Sequence, residues 1–215
     1  MEIRRGYVSP VRDDAARRTE RRILDAAEQL FLERGYPSTT IAMIAGAAGV
    51  SKQTVYNTCG SKAGLLKRLY DVRLVGDDEP IPFGQRPEVR AMAVLTDPRQ
   101  LLTEYARLGG KLISRLGPLL LIITAGAAGG DPDLVQHQAT TDAERLIGST
   151  GVAGRLAALD ALRPGISVEH ARDVIWTLTG APVWQQFTRG RGWSLDEFSG
   201  WLGGAMADLL LPDHE

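Results

Sequence analysis

The first regular spacing of apolar residues begins after Thr19 and predicts an amphipathic helix. Apolar side chains then recur three and four positions apart, as along one buried face of an α-helix; they are Ile23, Ala26, Ala27, Leu30 and Phe31. Gly35 is suited to the C-terminal cap of this helix, and Pro37 prevents its continuation. The pattern therefore predicts one helix that ends close to residue 35.

The next stretch, Ile41 to Asn57, predicts two short helices that cross at a tight turn. Gly49 can adopt the positive φ that such a turn needs, and Ser51 can cap the second helix. A Ser or Thr within residues 38–40 is expected to cap the first. Apolar or small side chains occupy the inward positions; they are Ile41, Ile44, Ala45, Ala48 and Val55.

The outward side of the second short helix is polar along its whole length. Its side chains are Lys52, Gln53, Thr54, Tyr56 and Asn57. A short exposed helix of this kind, held on a small core, is typical of a helix-turn-helix that reads a DNA groove. The alternative is a helical hairpin in some other all-α protein.

The rest of the chain continues in helical periods, and no segment alternates with period two over the length of a strand. We therefore predict an all-α fold of about nine helices. A long helix is expected from Asp97-Pro98, with a kink or break at Pro118. Other helices begin after a capping residue, at Ser61, Asp131-Pro132, Ser167 and Ser194.

Charge divides the chain, although the net charge is only -1. Lys and Arg are in excess up to residue 75, and Asp and Glu thereafter, which suits a DNA-binding head on a body that avoids DNA. We expect a flexible basic arm (1–18), a helix-turn-helix domain with its connecting helix (19–75) and a C-terminal domain (76–215). The arginines of the arm either follow DNA phosphates or are merely solvated.

Cysteine content and apolar runs favour a cytoplasmic protein. One cysteine, Cys59, permits no disulfide framework within the chain. Residues 1–20 contain no apolar core of a signal peptide. The uncharged run from Leu116 to Gly130 is short for a membrane span and contains Gly and Pro, so no membrane partner is expected.

One run, RRILDAAEQLFLERGYPSTTIAMIAGAAGVSKQTVYNTCGSKAGLL, combines these elements in a specific order. Together with its AAGVSKQTVY core and the Gly-Ser-Lys that opens the fourth helix, it resembles the N-terminal domain of the tetracycline-repressor (TetR) family over residues 20–72. Two positions depart from the family pattern: Cys59 replaces an aromatic ring, and Ala63-Gly64 replaces acidic residues. We expect a soft joint there, with Cys59 a small buried apolar residue or, alternatively, a redox group.

The resemblance implies a head that binds a near-palindromic DNA operator. Phosphates are expected at Thr40, Tyr56 and Lys62, and base edges at Gln53 and Thr54. Lys52 and Asn57 are expected to contribute to either kind of contact.

The resemblance also implies a C-terminal domain for ligand binding and dimerisation. A small hydrophobic effector is expected in a pocket among the central helices, because the candidate wall residues are mostly apolar. They are Tyr105, Leu108, Leu112, Leu120, His137 and Trp176. A homodimer is expected through the last helices, where the candidate contacts, unless they are ordinary core, are Val183, Phe187, Phe198, Trp201 and Leu202.

The predicted function is therefore a repressor that its effector releases from DNA. Alternatives are a regulator without effector sensing, an activator, and a helical interaction module that does not bind DNA. An enzyme is not expected, because there is no nucleophile elbow and no P-loop. The histidines, His137, His170 and His214, are not spaced as a metal pair, so neither a metal nor a cofactor is expected.

Overall fold

A computed structural model describes residues 10–76 and 83–213, and the side chains from Asp14 onward. These residues form ten α-helices and no strand, which confirms the all-α prediction. The chain divides into two compact units, Met1–Asp71 and Val72–Glu215. The division falls inside the fourth helix.

The N-terminal unit is built on four helices. They are α1 (Pro10–Arg34), α2 (Ile41–Ala48), α3 (Lys52–Cys59) and α4 (Lys62–Val75), of which α4 crosses the division between the units. Phe31 of α1, Ile44 of α2 and Leu65 of α4 are all at most 1% exposed. Burying such side chains contributes about 1.5–3 kcal/mol each, so this core holds the two short helices in place.

The expected non-helical arm is wrong for residues 10–18, which form the first turns of α1. Apolar periodicity could not reveal these turns, because residues 14–18 are exposed and have no buried face. Helix-favouring Ala and Arg and an ion pair between Arg17 and Asp14 stabilise them instead. Residues 1–9, with the rest of the expected arm, lie outside the described residues.

The C-terminal unit contains the remaining helices. They are α5 (Pro87–Ala93), α6 (Pro98–Ala128), α7 (Pro132–Ala158), α8 (Val168–Leu178), α9 (Ala181–Gln185) and α10 (Leu195–Leu210). A 3₁₀ turn, Phe83–Gln85, precedes α5, and a π-helical turn, Gln186–Gly190, follows α9. The central helix is α6, which packs against α7, α9 and α10, while α7 also packs against α8.

The break expected as one possibility at Pro118 does not occur. Helix α6 is 31 residues long and continues through Pro118. Proline inside a helix removes one hydrogen bond and costs about 3 kcal/mol. Leu116 before it and Leu119 and Ile123 after it are all nearly or fully buried. Burial of these side chains on both sides offsets that cost.

Of the described helices, α6 alone is long and apolar enough to cross a membrane, by length and composition. The sequence prediction missed this, because it counted only uncharged residues. About a third of that apolar window is buried inside the protein. Its contacts with α7, α9 and α10 are those of a core helix.

Candidate nucleic-acid interface

The turn between α2 and α3 forms as predicted. Gly49 has φ 63°, and its N–H donates to the Gly46 carbonyl at 3.2 Å. The next N–H, of Val50, donates to the Ala45 carbonyl at 3.0 Å, which completes the cap of α2. Ala45 and Val55 are buried, so the two helices close on the small core that the sequence predicts.

Both short helices begin at the predicted caps. Thr40 caps α2 by accepting a hydrogen bond from Met43 N, and Ser51 caps α3 by accepting one from Thr54 N. Thr40 remains exposed. No Asp or Glu occurs between Gly35 and Leu66, so α2 and α3 themselves carry no charge that would repel phosphate.

The outward side chains of α3 are exposed and partly pre-oriented. Gln53 Nε2 donates to Asn57 Oδ1 at 2.8 Å, so these two amides act as one unit along the helix. Lys52 and Tyr56 are exposed as well, Tyr56 by 48%. Thr54 is less accessible than expected, because its hydroxyl lies 2.8 Å from the Ser51 hydroxyl at the cap.

Lys62 is half-buried and differs in its surroundings from the other predicted contacts. Its Nζ donates hydrogen bonds to the carbonyl oxygens of Tyr36 at 2.9 Å and Thr39 at 3.1 Å. The ammonium also lies 4.1 Å from the centre of the Tyr36 ring. Lys62 thus ties the first turn of α4 to the loop between α1 and α2, and its contact with phosphate stays a prediction.

The joint between α3 and α4 is a tight turn on two glycines. Gly60 has φ 74° and ψ -58°, and Ser61 N donates to the Cys59 carbonyl oxygen at 2.8 Å, the geometry of a classic γ-turn. A Cβ on Gly64 would lie 2.3 Å from that same oxygen. The close approach requires Gly64, which sequence reasoning took for a weakness of the first turn.

Cys59 is half-buried at this joint. Burial, reinforced by the nearby Glu20 carboxylate, raises the pKa of its thiol above the ordinary value. A raised pKa keeps the thiol protonated near neutral pH and therefore poorly nucleophilic. The environment favours a small apolar residue over a redox group.

The predicted ligand walls in the C-terminal unit differ in burial. Leu120 and His137 are buried, and the others are partly accessible. A surface groove of about 460 Å³ between α7 and α8 includes Trp176 but none of the other predicted wall residues. The groove therefore shares only Trp176 with the predicted wall residues, and the predicted ligand pocket stays a prediction.

The sequence prediction missed Arg145, a cation next to two of the predicted wall residues, Trp176 and Tyr105. Its guanidinium lies 4.7 Å from the centre of the Trp176 ring and bonds the Asp142 carboxylate at 3.0 Å. Burial raises the pKa of the Tyr105 phenol, against a hydrogen bond with Ser149 and the charge of Arg145. The buried side of α7 thus has polar groups that an apolar wall list does not include.

The predicted dimer contacts include two residues that this chain buries by itself. Phe198 and Leu202 are each 1% exposed, so their assignment to a partner surface is wrong. The Phe198 ring lies 6.0 Å from the Phe187 ring of the same chain, and α10 itself packs mainly against α6. Val183, Phe187 and Trp201 are half-buried, and the Phe187 and Trp201 rings lie 4.3 Å apart.

No group of three or more His, Cys, Asp and Glu side chains that could hold a metal ion occurs within residues 10–76 and 83–213.

Residues 23–69 match the family described as "Bacterial regulatory proteins, tetR family". The chain is 34% identical over 139 residues to the HTH-type transcriptional regulator AlkX of Mycobacterium tuberculosis, which covers 63% of this chain and 58% of AlkX. It is 45% identical over 53 residues to the uncharacterized HTH-type transcriptional regulator YvkB of Bacillus subtilis, over 25% of this chain and 28% of YvkB. The chain thus spans less than two thirds of each of these relatives.

Solved structures share the whole fold. NalD, the secondary repressor of the MexAB-OprM multidrug efflux pump in Pseudomonas aeruginosa, is 21% identical with a TM-score of 0.71, over 94% of this chain and 100% of NalD. A SmeT–triclosan complex is 18% identical with a TM-score of 0.66, over 91% of this chain and 92% of that one. At these identities the likeness establishes the fold alone. The chain thus carries a head, residues 23–69, that matches the tetR family of bacterial regulatory proteins, within a fold that these solved structures share.

Proposed function

We propose that the protein is a cytoplasmic transcriptional repressor that binds a near-palindromic operator as a homodimer and is released by a small-molecule effector. The observation that carries the proposal is the exposed polar face of α3, which a buried core and two caps hold within a segment free of acidic residues. A helix held in this way can enter the major groove as a rigid unit. Such a role requires no reaction of its own, so the protein is proposed to be a regulator and not an enzyme.

Binding to the DNA upstream of the protein's own coding region tests the proposal. Fluorescence anisotropy with that labelled duplex should give a Kd at least about 10³-fold lower than with a random duplex of the same length and salt. Equal affinity for both duplexes, or no binding to either, would contradict it. The second result would favour a helical interaction module.

Replacing Gln53 should relax sequence preference. The Gln53–Asn57 pair on α3 can present an amide edge to a base, and one such contact discriminates by about 1–3 kcal/mol. Gln53→Ala is expected to weaken operator binding roughly tenfold or more, with little change on random DNA. Gln29→Ala is the matched control, since Gln29 pairs with Glu33 on α1 and should leave both affinities unchanged. An equal loss on operator and random DNA would remove Gln53 from base recognition.

The homodimer is proposed to form through the C-terminal helices. Support comes from the outward face of α10, where Gly200 and Gly204 are exposed and leave open space around a Cβ. Trp201 is half-buried next to them and Leu209 is 50% exposed. Two helices can approach closely over such small residues, with the larger side chains packing at the edges.

Gly204→Arg should therefore convert the dimer to a monomer without unfolding the chain. A Cβ at residue 204 meets nothing of its own chain within 4 Å, and the long side chain attached to it would stand between two copies of α10. Sedimentation velocity at micromolar concentration should show half the wild-type mass. Gly154→Arg, at an equally open glycine on α7, is the control and should sediment with the full wild-type mass. A wild-type monomer, or a dimeric Gly204→Arg variant, would contradict the proposed interface.

The effector is proposed to bind within the helices of the C-terminal unit. Support comes from Tyr105 and Trp176, which both lie close to Arg145. Fold relatives have been crystallised with triclosan and with choline, so this architecture accepts small organic molecules. Effector binding to one of two conformations would lower DNA affinity by linkage.

A further inference from the structure

Lys62 makes an unusual set of contacts for a residue at the start of a helix. The first turn of a helix attracts anions, so a lysine there is unfavourable unless another group holds its charge. Two backbone carbonyls, of Tyr36 and Thr39, accept hydrogen bonds from its Nζ, and the Tyr36 ring faces the ammonium. Hydrogen bonds to a charged group are worth more than neutral ones, about 1.5–3 kcal/mol each.

The loop that Lys62 holds is otherwise fixed by buried groups. Tyr36 is 5% exposed, and its ring lies 5.4 Å from the Phe31 ring in the core. Thr39 is fully buried, and its hydroxyl lies 2.8 Å from the Gly35 carbonyl oxygen. These contacts anchor the end of α1, and Lys62 connects α4 to the peptide group that leads from Thr39 into Thr40.

That peptide group precedes the N-terminus of α2. The carbonyl of Thr39 belongs to the same peptide plane as the N–H of Thr40, and Thr40 is the cap of α2. Free N–H groups at a helix N-terminus are suited to bind a phosphate oxygen, provided that the helix is held in place. A shift of this plane would move the cap and the first turn of α2 together.

We propose that Lys62 is a positioning residue for DNA binding, which acts through the Thr39–Thr40 peptide and the first turn of α2. The inference rests on the proposed DNA-binding function. Lys62 then contributes to affinity without neutralising a phosphate itself. This differs from a direct phosphate contact in one measurable respect, which is the dependence of affinity on salt.

The test is a salt titration of operator and random DNA binding by the full chain carrying Lys62→Met. A lysine that neutralises one phosphate contributes about 0.9 to the slope of log K against log salt concentration. A positioning residue is expected to lower the affinity for both duplexes about tenfold, at a wild-type slope. Circular dichroism at the assay temperature checks that the variant is folded, and Lys62→Gln replaces it if Lys62→Met is not.

Lys67→Met is the matched control, because it removes the same charge from the same helix. Lys67 Nζ donates a hydrogen bond to the carboxylate of its neighbour Asp71 at 2.8 Å, and Lys67 is exposed. It should leave affinity within about twofold of wild type, in line with the small worth of exposed ion pairs.

Two results would overturn the inference. A Lys62→Met slope that falls by about 0.9 would make Lys62 a phosphate ligand. Unchanged affinity would make its contacts irrelevant to DNA binding. Both results presuppose that wild type binds the operator, so absence of wild-type binding would refute the proposed function and, with it, the role of Lys62.

Discussion

Gly64→Ala is expected to destabilise the N-terminal unit by about 2 kcal/mol, the usual cost of forcing a group into filled space. Alanine ordinarily stabilises a helix relative to glycine by up to about 1 kcal/mol. At Gly64, however, the new Cβ would lie 2.3 Å from the Cys59 carbonyl oxygen, which is backbone and is already bonded by Ser61 N. The γ-turn or the first turn of α4 must therefore open.

Differential scanning calorimetry of the full chain measures this effect. For a unit of this size, 1 kcal/mol corresponds to about 4–8 °C in the unfolding temperature. Gly46→Ala in α2 is the matched control, because a Cβ there meets nothing within 4 Å. The control should raise the transition of the N-terminal unit by a few degrees. A Gly64→Ala protein as stable as wild type would show that the joint adapts at little cost.

Gly117→Ala is expected to destabilise the C-terminal unit by about 3 kcal/mol, through overpacking against an aromatic ring. The added Cβ would lie 2.5 Å from Cζ3 of Trp184 and 2.7 Å from its Cε3. Trp184 is 6% exposed, so its rigid ring has little room to move away. The close contact between α6 and α9 therefore depends on the absence of a side chain at residue 117.

Two further variants give this prediction its control and its rescue. Gly109→Ala lies in the same helix with open space around its Cβ, and should slightly stabilise the unit. Adding Trp184→Phe to Gly117→Ala removes one ring and should restore part of the lost stability, so that the two changes are not additive. Calorimetry that shows additive losses would argue against contact between residues 117 and 184.

Features that depend on neighbouring residues in sequence could be predicted. Thr40, Ser51, Ser167 and Ser194 cap their helices as expected, because an N-cap needs only a side-chain oxygen within three residues of a free N–H. The turn at Gly49 is equally local. The order of the helices and the outward face of α3 follow from such signals and from apolar periodicity.

Features that depend on distant partners could not be predicted. Apolar periodicity marks Phe198 and Leu202 as buried, but it does not say whether the chain itself or a second copy covers them. The close approaches at Gly64 and Gly117 involve atoms that no sequence window contains. Lys62 differs from an exposed lysine only because Tyr36 and Thr39 lie beside it in the folded head.

All four tryptophans, Trp176, Trp184, Trp193 and Trp201, belong to the C-terminal unit, and the N-terminal unit has none. The intrinsic tryptophan emission therefore reports on the body alone, while the head that meets DNA is silent at those wavelengths. A change of emission on adding operator DNA would have to reach the body from the head. The intrinsic fluorescence of the unlabelled protein can therefore be used to detect communication between its two units.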